Sequence, residues 1–218
     1  AGGGYLFAMC SGAESLDVAL AAEGVDIVES TFDGDGVDPN AQEKLDFGKT
    51  IAFENFKLST DEDYRGMSFS DINYATGRWG DEQMTFFKLF DFSAKWDVIP
   101  TMLTQNHTNT IKGFMGQTTA FKKQYLKPEV IILGENRSLN EARYLHGTIA
   151  KGFWTFYGGH DPEDYRHEVG EEPTDLNLHP TSAGYRLILN NILFPAAKKK
   201  KAEGEDYYDR DTNFNPFK

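Results

Sequence analysis

Residues 5–12 decide the expected fold, and they read Tyr-Leu-Phe-Ala-Met-Cys-Ser-Gly. The first five of these residues form a continuous apolar run, which predicts a strand covered on both faces, as in a parallel sheet. Apolar side chains then recur at helical spacing over residues 13–22, and Gly24 ends the predicted helix. A buried strand followed at once by a helix is typical of an α/β layer fold.

The patterns along the rest of the chain indicate further strands and helices. Strands are predicted at 26–31, 99–105, 110–114 and 128–133, with short strands at 51–58 and 85–92, a hairpin at 142–157, and helices at 118–125 and 184–194. We therefore expect a three-layer α/β fold with a mostly parallel sheet over residues 1–197. An irregular β-rich insertion is expected at about 33–97, and a charged flexible tail at 198–218.

Composition excludes several classes of protein. The chain of 218 residues has 22 basic and 34 acidic residues and a net charge of -12, which argues against a nucleic-acid binder. No apolar run approaches the length of about 18 residues that a membrane span needs. The single cysteine excludes an internal disulfide and a cysteine-rich zinc module.

The chain begins with Ala1 rather than an initiator methionine, and its first residues lack the basic and long apolar parts of a signal peptide. A buried parallel strand needs neighbours on both sides. We therefore expect the chain to be the C-terminal portion of a longer protein. A leader would belong to the preceding part, so the compartment remains open.

Cys10 lies where a nucleophile elbow would place its reactive side chain. In that motif a sharp turn joins a strand to a helix, and the flanking residues are small, as Ala8 and Gly12 are here. The helix N-terminus favours a thiolate, and the Ser11 N–H could donate to an oxyanion. The alternative is a buried structural cysteine.

His160 follows the predicted aromatic strand through Gly158 and Gly159. A histidine at this point could accept the thiol proton from an elbow on a neighbouring strand, with Asp161 or Glu163 orienting its ring. The same residues also suit a helix start, in which Asp161 is the N-cap and Pro162 the first helical residue.

A metal site competes with this interpretation, because His160, Asp164 and His167 have the spacing of one helical face. A helix beginning at Pro162 would leave His160 outside that face, so we expect no metal site.

Cys10 followed by His160 on an α/β frame resembles the class I glutamine amidotransferase-like superfamily. Lys151-Gly152 and Gly159-His160 also resemble its ThuA-like branch. Over residues 1–201 the chain resembles a Bacteroidota family labelled asparagine synthetase B. The stretches that carry this resemblance are residues 3–11, 20–24, 105–107, 112–121, 134–136, 154–165 and 184–191.

The resemblance implies a flavodoxin-like sheet and an amide-hydrolysing site with Cys10 as nucleophile and His160 as base. Class I amidotransferases place a glutamate two residues after the histidine, whereas here Asp161 follows directly and Glu163 comes third. Both therefore remain candidates for the orienting acid. Ser11, Gly12 and Gly159 are the expected oxyanion and substrate-binding positions.

The resemblance also implies a small-molecule amide substrate, a synthetase or other partner that accepts ammonia, and no cofactor. A true amidotransferase would be cytoplasmic, and a leader on the preceding part would make the protein extracytoplasmic. The alternative function is a non-catalytic, ThuA-like module that binds a sugar or peptide. Thiol reactivity distinguishes the two, because only a catalytic cysteine has a depressed pKa.

Overall fold

A computed structural model describes residues 3–59, 69–73, 86–91, 108–113, 120–164, 167 and 170–193. Its strands are β1 (Gly4–Met9), β2 (Phe87–Leu89), β3 (Thr110–Ile111), β4 (Phe121–Lys122), β5 (Ile131–Asn136), β6 (Glu141–Ile149) and β7 (Gly152–Tyr157). Its α-helices are α1 (Ser11–Ala21), α2 (Ser30–Asp33), α3 (Ala41–Lys44) and α4 (Ala183–Leu193). Short 3-10 helices span Lys123–Tyr125 and Leu176–Leu178.

The seven strands form one mixed sheet in the order β1-β7-β6-β5-β2-β3, and β4 pairs with β6. Among these described strands only β1 and β7 run parallel, and every other pairing is antiparallel. The sheet is curled into a half-barrel with few helices. The expected three-layer, mostly parallel, flavodoxin-like sheet is therefore wrong.

The lengths of two loops explain why most of the sheet is antiparallel rather than parallel. Residues 137–140 join β5 to β6, and residues 150–151 join β6 to β7. Parallel neighbours need a crossover of about a dozen or more residues, so strands joined this tightly run antiparallel. Asn140 and Ala150 have φ angles of 54° and 52°, which turn the chain back at these two points. The sequence predicts the β6–β7 hairpin at 142–157 but not the β5–β6 hairpin, and this second hairpin extends the antiparallel part of the sheet.

The elements at the start of the chain match the sequence prediction. β1 and α1 confirm the strand at 5–9 and the helix at 13–22. β1 lies beside β7 in a register that pairs Gly4 with Gly152 and Met9 with Tyr157. Both strands therefore end at the same edge of the sheet.

The two faces of the sheet are buried by different helices. Trp154 and Phe156 of β7 belong to the core cluster that includes Ala13 and Val18 of α1. Tyr157, the next residue of β7, points to the opposite face and packs in the cluster that includes Ala183 and Leu187 of α4. The alternation of side chains along β7 thus places α1 and α4 on opposite faces.

Asp17, in α1, holds residues 51–53 against that helix. Its carboxylate accepts hydrogen bonds from the backbone N–H groups of Ile51, Ala52 and Phe53, at 2.7, 2.7 and 2.8 Å. Burial raises the pKa of Asp17, and the three N–H donors act in the opposite direction. These bonds satisfy backbone N–H groups of residues 51–53, which do not belong to a β-strand of the sheet.

Several other predictions are settled by the described residues. The hairpin at 142–157 and the helix at 184–194 are confirmed as β6–β7 and α4. The helix predicted at 118–125 is wrong, because β4 and a 3-10 turn occupy those positions where described. The strand at 110–114 is limited to β3, the one at 128–133 is shifted to β5, and the one at 85–92 is limited to β2. Residues 51–58 form isolated bridges rather than strands.

The strand predicted at 26–31 is also wrong, since a loop and the single turn of α2 replace it. The Asp26 carboxylate accepts the Val28 N–H at 3.0 Å, and Asp33 accepts the Asp35 N–H at 3.3 Å. Local aspartate–backbone bonds of this kind compete with strand pairing. The strand at 99–105, parts of the insertion at 33–97 and the tail at 198–218 lie outside the described residues.

The burial of His146 leads us to expect that the free energy of unfolding depends on pH. The residue is 8% exposed, contacts Thr155 through Nδ1 at 3.3 Å, and burial lowers its pKa to about 4. In the unfolded chain the histidine side chain has a pKa of about 6.5, so it becomes protonated at a higher pH than in the folded protein. The contribution of neutral His146 to the free energy of unfolding is therefore fully present above pH 6.5. It falls by up to about 3 kcal/mol as the pH approaches 4.

Urea unfolding of the wild type and of His146→Leu at pH 7.5 and 4.5 measures this contribution. The variant should lose less stability on acidification than the wild type does. An equal loss in both proteins would show that His146 does not control the acid sensitivity.

Candidate active site

Cys10 occupies the turn between β1 and α1 in a strained backbone conformation. Its φ and ψ angles are 53° and -136°, values that a non-glycine residue adopts only when the surrounding structure holds it. The Cys10 N–H donates to the Tyr157 carbonyl at 2.9 Å, and the Cys10 carbonyl accepts the Ala13 N–H at 3.2 Å. This strand–turn–helix geometry is that of the predicted nucleophile elbow.

The first turn of α1 presents backbone donors next to Cys10. The first N–H groups of a helix have no partner within it, and those of Ser11 and Gly12 are in this position. Gly12 is exposed, and a Cβ built there would meet no atom within 4 Å in the described part of the chain. Cys10 itself is 7% exposed. The donors therefore border solvent, whereas the thiol is largely enclosed.

The end of β7 brings His160 to the same edge of the sheet. The chain leaves β7 after Tyr157, and the Gly158 N–H donates to the Arg143 carbonyl at 2.7 Å. Gly159 is buried with a φ of 117°, a conformation that favours glycine. Gly159 thus acts here by turning the chain, and the turn carries His160 beside Cys10.

His160 connects the thiol to a carboxylate. Its ring is hydrogen-bonded to the Cys10 side chain, and its Nδ1 lies 2.7 Å from Oδ2 of Asp161. The bond to Cys10 is the largest cause that raises the pKa of His160, burial opposes it, and Asp161 adds to the increase. A raised histidine pKa beside a thiol favours the thiolate–imidazolium pair.

The structure brings Asp161 rather than Glu163 to the imidazole. Glu163 has a φ of 70°, and its N–H donates to the Lys112 carbonyl at 2.9 Å. A left-handed residue at this position is incompatible with a helix, so the predicted helix start at Pro162 is wrong, and a turn replaces it.

The rejected metal arrangement is not formed either. His167 Nδ1 lies 3.4 Å from Oδ2 of Asp164, and Thr174 donates to the same oxygen at 3.4 Å. His160 is engaged instead with Cys10 and Asp161. Among the described residues the two histidines therefore contact different aspartates, His160 with Asp161 and His167 with Asp164.

Two glycines that sequence reasoning missed support the Asp161 turn. A Cβ at Gly184, in the first turn of α4, would lie 2.3 Å from Pro162 Cβ. A Cβ at Gly113 would lie 2.6 Å from the Glu163 carbonyl carbon. Neither residue has a sequence signal of its own, because the close approach arises between segments distant in the chain.

Iodoacetamide labelling of Cys10 across pH tests the thiolate–imidazolium pair. Labelling should be fast well below the free-thiol pKa of about 8.5. Asp161→Asn should lower the pKa of His160, because it removes a charge that raises this pKa. The thiolate–imidazolium pair should therefore be lost at a lower pH than in the wild type. Labelling that follows a simple thiol titration in both proteins would contradict the pairing.

Gly184→Ala tests the support of the turn. Alanine favours a helix over glycine, so any loss comes from the collision with Pro162, which should displace Asp161 from His160. We expect the pH profile of Cys10 labelling to report a lowered His160 pKa, as in Asp161→Asn. The helical circular dichroism signal should be retained. Gly36→Ala, where a Cβ meets no described atom within 4 Å, is the matched control.

Within the described residues, no helix combines the length and the apolar character needed to cross a membrane. Comparisons of the chain with protein families, with curated proteins and with solved structures returned no match.

Proposed function

We propose that this chain is a cysteine-dependent amide hydrolase of the glutamine amidotransferase type. One observation carries the proposal: the strained elbow residue Cys10 is hydrogen-bonded to His160, whose Nδ1 lies against Asp161. A nucleophile, a base and an orienting acid in contact at a strand-to-helix turn are the components of covalent acyl transfer.

In the first half-reaction, the Cys10 thiolate attacks the carbonyl carbon of the amide. The tetrahedral intermediate collapses, the carbon–nitrogen bond breaks, and the His160 imidazolium gives its proton to the departing ammonia. A thioester on Cys10 remains. Asp161 stabilises the imidazolium and holds its ring orientation through Nδ1.

In the second half-reaction, neutral His160 takes a proton from water as the water oxygen attacks the thioester. The carbon–sulfur bond then breaks, and the thiolate–imidazolium pair is restored with a carboxylic acid product, which loses its remaining proton to solvent. The N–H groups of Ser11 and Gly12 at the start of α1 are the donors available to the oxyanion in both steps. One such donor contributes about 100- to 1000-fold in rate.

The substrate class comes from the resemblance to amidotransferases, which implies the side-chain amide of glutamine or a related small amide. Ammonia would be released or passed to a synthetase or another accepting partner. The mixed half-barrel does not have the sheet of that superfamily. The proposal therefore depends on the local geometry of the site rather than on the fold.

Ammonia release from glutamine, asparagine and other small amides tests the activity. Cys10→Ala should lower turnover at least 1000-fold, since no nucleophile remains. His160→Asn should have a similar effect. His167→Asn is the matched control, because it also removes a histidine that contacts an aspartate but lies outside the proposed triad.

The covalent intermediate supplies a second readout. An electrophilic glutamine analogue should add one equivalent of mass to the wild type and none to Cys10→Ala. If Cys10→Ala retains its amidase activity, the mechanism is wrong. If no amide is hydrolysed and Cys10 labels slowly, the sugar- or peptide-binding alternative becomes the better hypothesis.

A further inference from the structure

A cavity of about 460 Å³ lies beside β2 and the end of β5. Its walls come from residues 86 and 88–91, from Asn109, and from residues 135–138. None of these residues belongs to the Cys10 site. The volume falls in the range of small-molecule sites, so the cavity is large enough for a ligand with one ring.

One cationic wall of the cavity is held in place by a buried carboxylate. The Glu135 side chain is 10% exposed, and its two oxygens contact Lys123 Nζ at 2.5 Å and Arg137 Nε at 2.6 Å. Burial acts to raise the pKa of Glu135, but these two hydrogen bonds hold it below its ordinary value. The Arg137 guanidinium is thereby fixed at one edge, which leaves its terminal amino groups unengaged by Glu135.

Lys88 provides a second positive charge. It lies directly opposite Glu135 in the antiparallel β2–β5 pair, and its side chain is exposed. Glu135 is committed to Lys123 and Arg137. Among the described residues, the Lys88 ammonium group at the cavity is therefore not held in an ion pair.

Apolar and amide groups complete the cavity. The Arg137 guanidinium lies over the Phe90 ring, with Cζ 5.6 Å from the ring centroid, which is within cation–π distance. Asn136 is almost fully buried and donates to the Phe86 carbonyl at 3.2 Å. Its Oδ1 accepts the Ser138 hydroxyl at 2.6 Å. These bonds fix the turn that carries Arg137.

The charges at the cavity favour an anion. Among the lining side chains Lys88 and Arg137 are positive and Glu135 and Asp91 are negative, and Lys123, which pairs with Glu135 from outside the lining, brings the sum to +1. Asp91 is exposed to solvent. Since the whole chain has a net charge of -12, a locally positive cavity is contrary to the overall composition.

We propose that this cavity binds a small organic carboxylate that carries an apolar or aromatic ring. The carboxylate would lie between Lys88 and the free edge of Arg137, and the ring would lie against Phe86 and Phe90. The site is separate from Cys10, and the proposal does not depend on amide hydrolysis.

The test is titration of the full chain with benzoate and phenylacetate, followed by the NMR signals of the Asn109 and Asn136 side-chain amides. Benzamide and phenylacetamide are the neutral matches, and acetate lacks the ring. We expect saturable shifts with the aromatic carboxylates, with a Kd in the millimolar range or tighter, as suits ligands of this size. The neutral amides and acetate should bind at least tenfold more weakly.

Single substitutions distinguish a built site from a surface depression. Lys88→Gln should weaken benzoate binding about tenfold, Phe90→Leu should also weaken it, and Asp91→Asn should strengthen it about twofold. Lys151→Gln, an exposed lysine at the opposite end of β6, is the matched control and should have no effect. Thermal melts of each variant report whether it folds.

Three outcomes would overturn the proposal. The first is the absence of saturable binding by either aromatic carboxylate up to about 10 mM. The second is equal binding by the neutral amides. The third is unchanged benzoate affinity in a folded Lys88→Gln protein, which would remove the charge on which the site depends.

Discussion

The parallel pairing of β1 with β7 is the constraint on which the candidate site depends. Its register ends with Met9 beside Tyr157, and the Cys10 N–H continues the ladder to the Tyr157 carbonyl. Parallel strands end at one edge, so the residues that follow each strand meet there. A single hydrogen-bonded pair thus brings together Cys10 and His160, which are 150 residues apart in sequence.

The remaining elements hold this edge from both faces. Residues of α1 pack on Trp154 and Phe156, while α4 packs on the opposite face and its Gly184 lies against Pro162. The close contact at Pro162 supports the turn that carries Asp161. The helices therefore support the site mainly by packing, and the charged groups that face the thiol come from the β7 end.

The two proposed sites use charge in different ways. At Cys10 the positive charge is transient, because the imidazolium forms when the thiol gives up its proton and disappears when ammonia leaves. At the β2–β5 cavity the positive charge is permanent, because a buried glutamate holds Arg137 and leaves Lys88 outside any ion pair among the described residues. The first arrangement suits proton transfer and the second suits retention of an anion.

The sequence by itself determined the elements on either side of Cys10 and the residues at their ends. The apolar run before Cys10, the helix after it and the aromatic hairpin with His160 beyond it are all patterns of residues close in the chain. Only the tertiary structure decided the rest of the sheet, because the antiparallel β5–β6 pair and the parallel β1–β7 pair are contacts that the sequence pattern does not specify. It also decided between Asp161 and Glu163, since the left-handed turn at Glu163 is held by Lys112 and Gly113 from a distant segment. Contacts between distant segments leave no periodic signal in the sequence, and for that reason the choice between the two acids, the supporting glycines and the second cavity could not be predicted from it.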